Sequence, residues 1–118
     1  MAETPHVGSC HCGAVRYRVN LDLEQPSITC NCSMCGRSGT LLQFVPPDKF
    51  VLEQGDDNLT DYQFNKKAIH HVFCKTCGIK PFARGQGPQG PMVAINVRCL
   101  EGVDVFNVPT HQYQGKDH

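Results

Sequence analysis

Tryptophan is absent from this 118-residue chain, whose aromatic residues are six phenylalanines and three tyrosines. A chain this short buries a modest core and profits from internal staples. Net charge is also absent, with eleven basic and eleven acidic residues and a pI near 7.0. That balance removes the electrostatic case for nucleic acid or an anionic membrane surface as a partner. No apolar stretch approaches the roughly 20 residues needed to span a bilayer. The segment Met1–Ser9 has neither a basic start nor an apolar core, so no signal peptide is expected. A cytoplasmic location with reduced thiols follows as the expectation, and oligomeric state is left open.

Helical periodicity is missing too. Eleven glycines and eight prolines break the chain into short pieces, and no helix-period pattern lasts three turns. Residues 14–19 alternate, with Val15, Tyr17 and Val19 on one face and Arg16 and Arg18 on the other, as in a half-buried strand. Further strands are expected at 27–30, 41–45, 50–53, 60–64, 68–73 and 92–97, the last as a central strand. Turns are expected at 55–58 and 65–67, and 85–91 reads as a loop. The expectation is a mainly β, compact single domain over 1–118, with 1–7 and 110–118 loosely ordered. Tyr17, Phe44, Phe73 and Phe82 read as core.

What the chain does have is eight cysteines. They fall into Cys10-x-Cys12, Cys30-x-Cys32-x-x-Cys35 and Cys74-x-x-Cys77, with Cys99 alone. In a reduced chain such clusters point to metal before disulfides. Two thiolates three apart in a tight turn can face one ion, and the glycine after the second, Gly78, can take positive φ. Cys10 and Cys12, at i and i+2 of extended chain, point the same way and can complete a closed site of four thiolates, structural by type. Such a clip across a long loop is where a crosslink stabilises most. Cys30, Cys32 and Cys35 make three ligands with no neighbouring fourth, the pattern of an open, catalytic zinc site. Two alternatives stay open: Cys99 or a histidine completes the second site, making both structural, or the cysteines act as redox thiols without metal.

The motif order resembles that of the glutathione-dependent formaldehyde-activating enzymes and their centromere protein V-like relatives. The matching stretches are Gly8-Ser-Cys-His-Cys-Gly13, Cys30-Asn-Cys-Ser-Met-Cys35, Phe73-Cys-Lys-Thr-Cys-Gly-Ile79 and Asn96-Val-Arg-Cys-Leu-Glu-Gly-Val-Asp104. The resemblance implies short antiparallel strands around a zinc-ribbon-like core, a broad fold shared with B-type methionine sulfoxide reductases. It implies structural zinc at Cys10, Cys12, Cys74 and Cys77, and catalytic zinc at Cys30, Cys32 and Cys35. It also implies a carbon–sulfur lyase that joins glutathione and formaldehyde as S-hydroxymethylglutathione, or splits that adduct. The alternatives are a non-catalytic protein with two structural zincs and a thiol reductase using Cys99.

Arg37, two residues past Cys35, is the candidate for a glutathione carboxylate, with a solvated turn arginine as the plain reading. Arg84 and Arg98 have similar but more distant claims. Cys99 reads as a buried, inert thiol ending the most apolar strand. His11, between two ligands, is expected to point away from the metal, and of His70 and His71 one at most faces a given site.

Overall fold

The computed structural model describes residues 3–63, 69–87 and 90–113. Two sheets pack face to face. The smaller is antiparallel, with β1 (Thr4–Ser9), β2 (Arg16–Leu21) and β5 (Phe50–Gln54) in the order β1-β2-β5. The larger contains β3 (Ser27–Cys30), β4 (Leu42–Val45), β6 (Leu59–Tyr62), β7 (His70–Cys74), β8 (Phe82–Gly87), β9 (Gly90–Asn96) and β10 (Thr110–Tyr113). Its order is β10-β3-β4-β9-β8-β7-β6, which makes β9 central, as its apolar sequence implies. One α-helix among the described residues, α1 (Ser33–Ser38), follows β3. Among the described residues no helix is long and apolar enough to cross a membrane.

The alternation in β2 decides the interface. Tyr17, Val19 and Leu21 are completely or almost completely buried, while Arg16 and Arg18 reach out to Glu101 and Glu53 at 3.2 and 3.1 Å. Exposed pairs of that kind contribute little; the buried face contributes most. Tyr17 packs against Phe50 and edge-on to Phe82, with centroids 5.2 and 5.9 Å apart, and Phe50 lies 4.8 Å from Phe82. The three rings join the sheets, and the Tyr17 hydroxyl donates to the Pro81 carbonyl at 3.1 Å.

Because strand residues alternate in direction, the large sheet has a second face. Val72, Phe82, Val93 and Ile95 point into the main core. Leu42, Ala83 and Ala94 point the other way and pack with Cys35 of α1, flanked by Cys30 and Cys32. The register sets His71 opposite Ala83, Ala83 opposite Ala94, and Ala94 opposite Phe44. These four side chains therefore form one row across the α1 face.

Several expectations change. Phe44, read as core, is 50% exposed because its register partner is Ala94 on the α1 face. The glycine-rich stretch read as a loop is mostly strand: Gly85–Gly87 and Gly90–Pro91 extend the β8–β9 hairpin, with Gly87 paired to Gly90. The ends read as loose are paired where described. Residues 4–7 belong to β1, and β10 runs parallel to β3, an exception to the antiparallel expectation. Backbone hydrogen bonding there needs no apolar pattern, and polarity had suggested fraying. The turn expected at 65–67 lies outside the described residues.

Candidate metal centres

The first cluster joins the β1–β2 connection to the turn after β7. Cys74 closes β7, and the chain reverses through Lys75–Gly78. Gly78 sits at φ 78° and donates its N–H to the Cys74 carbonyl at 2.9 Å. Thr76 and Cys77 donate their N–H groups to the Cys74 sulfur at 3.4 and 3.5 Å, as the spacing predicts. The Asn58 side chain adds a third donor at 3.4 Å, a contact with no local sequence signal because it crosses from the turn before β6. Cys10 and Cys12 are not held as the sequence suggested. They lie in a turn after β1, not in extended chain, with Cys10 N–H on the Val15 carbonyl and Val15 N–H on the Cys10 sulfur at 3.3 Å. Gly13, at φ 84°, completes that turn.

All four sulfurs lie within 4.8 Å of one another, with Cys12 Sγ 3.7 Å from both Cys10 Sγ and Cys74 Sγ. A tetrahedron with metal–sulfur bonds of about 2.3 Å has edges of about 3.8 Å, so the donor set fits a four-thiolate ion. Burial opposes ionisation of Cys77, but the N–H groups of Ile79 and Cys12 outweigh it and draw the thiol down to about 6. The Cys74 thiol is lowered in the same way, against its burial, by the N–H groups of Cys77 and Thr76.

The second cluster is built on a helix start. Cys30 ends β3, Cys32 caps α1, and Cys35 sits in the first turn. The Cys32 sulfur accepts the Cys35 N–H at 3.3 Å, and Gly39 closes the far end at φ 68° with its N–H on the Cys35 carbonyl. Six residues make too short a helix to stand alone; the caps and the packing of Cys35 on Leu42, Ala83 and Ala94 hold it. Such a piece leaves no periodic signal in the sequence. The sulfurs of Cys30, Cys32 and Cys35 lie within 4.8 Å of one another, and among the described residues no fourth ligand atom joins them. The donor set therefore fits a tetrahedral ion with one position left for an outside ligand. Burial works against the Cys32 thiolate, but hydrogen bonds from the Cys35 N–H and from the Cys35 and Cys30 side chains lower its pKa. Burial pushes the Cys35 thiol up to about 12.

Two residues near this cluster were not singled out for it by the sequence. Lys80 is only 7% exposed, and its Nζ lies 2.8 Å from His71 Nδ1. Burial, and then the Lys80 charge, pull His71 down to about 4, so at neutral pH its Nδ1 accepts and Lys80 donates. Burial also lowers Lys80, against the opposing charges of Cys35, Cys32 and Cys30. His70 points elsewhere, to Asp61 at 2.7 Å.

The remaining candidates separate. Arg37 is exposed on α1 and donates to the Ser33 carbonyl at 3.0 Å. Arg84 stacks over Phe50 and Phe82 from the core side, at 5.3 and 5.2 Å, and Arg98 is exposed. Cys99 joins neither cluster; burial, and then the neighbouring Cys10 and Cys77, push its thiol up to about 12. His11 is exposed and outside both sulfur sets. Two recesses, of about 160 and 260 Å³, lie near Arg84 and near Gln43, and neither is lined by a cysteine.

A solved structure of a Rhodobacter sphaeroides protein, a structural-genomics target, is similar at a TM-score of 0.77. It is 34% identical, with 89% of this chain and 99% of that one covered. The sequence model described as glutathione-dependent formaldehyde-activating enzyme matches residues 5–116, which span both clusters and the elements that carry them. The chain belongs to the glutathione-dependent formaldehyde-activating enzyme family.

Proposed function

We propose that the chain is a zinc-dependent carbon–sulfur lyase or synthase acting on a glutathione adduct such as S-hydroxymethylglutathione. In this reading Cys10, Cys12, Cys74 and Cys77 hold a structural zinc, and Cys30, Cys32 and Cys35 hold a labile, catalytic one. The observation that carries it is the pairing of a closed four-sulfur set with a three-sulfur set that has no fourth ligand among the described residues. Zinc at the second set would keep an incoming thiol in its thiolate form near neutral pH. Free thiols in this number suit a reducing, cytoplasmic setting.

The rest is the work of the chain. The α1 cap orients Cys32, and the sheet beneath fixes Cys35. Ala83 and Ala94, buried beneath Cys35, form the packed floor on which the cluster rests. Arg37, exposed in the last turn of α1, is in this reading the residue that takes a glutathione carboxylate. With thiolate and aldehyde held together, the sulfur lone pair forms the carbon–sulfur bond. The carbonyl π pair moves to oxygen, which takes a proton from water; the reverse sequence releases formaldehyde. The reductase alternative is disfavoured by the raised Cys99 thiol, which is a poor nucleophile at neutral pH.

Glutathione and formaldehyde combine unaided, so an end-point assay is uninformative. NMR exchange spectroscopy of the mixture, with and without the zinc-loaded protein, reads the rate directly. Acceleration is expected, with Arg37→Ala raising KM for glutathione and leaving zinc content unchanged. No acceleration with two zincs bound refutes the assignment.

A further inference from the structure

A lysine buried on the α1 face has no place in the reaction as described above. Lys80 is 7% exposed, and among the described residues no carboxylate pairs with it. Its main chain is pinned, with the carbonyl accepting from Asn96 Nδ2 at 2.9 Å and Pro81 following. Its Nζ is pinned as well, 2.8 Å from His71 Nδ1. His71 stands opposite Ala83 in register, and Ala83 packs with Cys35. The anchored ammonium is thus brought over the patch of sheet that carries the three-sulfur cluster. Burying an unpaired ammonium costs several kcal/mol. When ionised, the sulfurs of Cys35, Cys32 and Cys30 are the opposite charges that favour its charged form, against its burial.

A divalent ion held by the thiolates of Cys30, Cys32 and Cys35 would leave one net negative charge on the cluster. Addition of a thiolate to an aldehyde places new negative charge on the carbonyl oxygen. A cation fixed beside the cluster would stabilise the charge that appears on that oxygen. Lys80 has three N–H donors; His71 takes one, and the other two remain for the cluster and for substrate.

Resting on the glutathione–formaldehyde reading above, we propose that Lys80 is a further catalytic residue. Held by His71, it donates to the aldehyde oxygen as the carbon–sulfur bond forms. It supplies charge and a hydrogen bond while water supplies the proton, so the electron count is the one already given. Loss of one such donor typically lowers kcat by about 10²–10³-fold.

The test compares wild type, Lys80→Met and Lys80→Arg, all zinc-loaded, by exchange NMR for kcat, calorimetry for glutathione affinity, metal analysis and thermal melting. Met fills the lysine volume and removes the desolvation cost of the ammonium, which offsets the donor lost to His71 Nδ1. Lys80→Met is expected to lose about 10²-fold in kcat, with two zincs retained, an unchanged Tm and glutathione affinity within about threefold. Lys80→Arg, which restores the charge, recovers part of the rate. A Lys80→Met protein with wild-type kcat overturns the proposal and leaves the lyase reading standing. A rate loss that tracks loss of zinc or of Tm makes Lys80 structural and also overturns it. No acceleration by wild type refutes the lyase reading and the Lys80 role together.

Discussion

Cys12→Ser and Cys32→Ser each remove one sulfur, yet the fold predicts unequal costs. Cys12 is exposed, so its replacement changes little packing. With a metal ion held by the four sulfurs, the replacement would weaken a crosslink between residues 62 apart, which joins the small sheet to the large one. In the chain-entropy treatment, closing a loop of that length removes about 14 cal/mol/K from the unfolded state, or about 4 kcal/mol at 25 °C. Three thiolates remain, so the expected loss is about half to all of that, roughly 2–4 kcal/mol. For a domain of this size that is about 8–16 °C in Tm. Cys32 belongs to a set whose ligands span one local turn, and serine is itself a good N-cap, so the Cys35 N–H keeps its acceptor. Its replacement should cost less than about 1 kcal/mol while abolishing exchange activity. Differential scanning calorimetry with zinc analysis reads both effects. Equal Tm losses in the two variants, or no loss in Cys12→Ser despite a missing zinc, would refute the division into a structural and a working site.

Two further outcomes are expected. A Cβ at Gly8 would meet the Tyr17 ring at 2.3–2.6 Å, and that ring is fully buried between the sheets, so Gly8→Ala should cost at least about 1–3 kcal/mol in urea melts; a neutral result would show that the ring can move. His71 sits near 4, below its ordinary 6.5, so the unfolded chain binds more protons and stability falls as pH drops from 6.5 towards 4. The wild type should therefore lose up to about 3 kcal/mol more than His71→Asn between pH 7 and 4, and parallel acid limbs in the two proteins would refute the assignment.

The grouping of the cysteines into two sets was legible because metal ligation calls for short spacings and glycine turns that survive in the sequence. Cys74-x-x-Cys77-Gly78 is such a unit, and its N–H donors to sulfur are local geometry. The alternation at Tyr17 and Val19 was legible for the same reason, since a pleat repeats every two residues. The CxC pair was grouped correctly for a reason that fails, because Cys10 and Cys12 meet through a turn and not through strand alternation.

What local pattern cannot carry is partnership across the fold. Phe44 has the composition of a core residue, and only its register with Ala94 turns it outward. Gly85–Gly87 reads as loop until the hairpin with β9 supplies its hydrogen bonds. Lys80 looks like a solvated lysine beside Pro81, and no feature of its neighbours in sequence says otherwise. Its burial, its bond to His71 nine residues away and its place over the three-sulfur face come from the pairing of β7 with β8 and β9. The two sulfur sets that could hold metal are legible in the sequence, because each is assembled from short, stiff motifs. Which side chains surround them is set by the sheet register, because burial and charge at a site depend on residues brought together from distant strands.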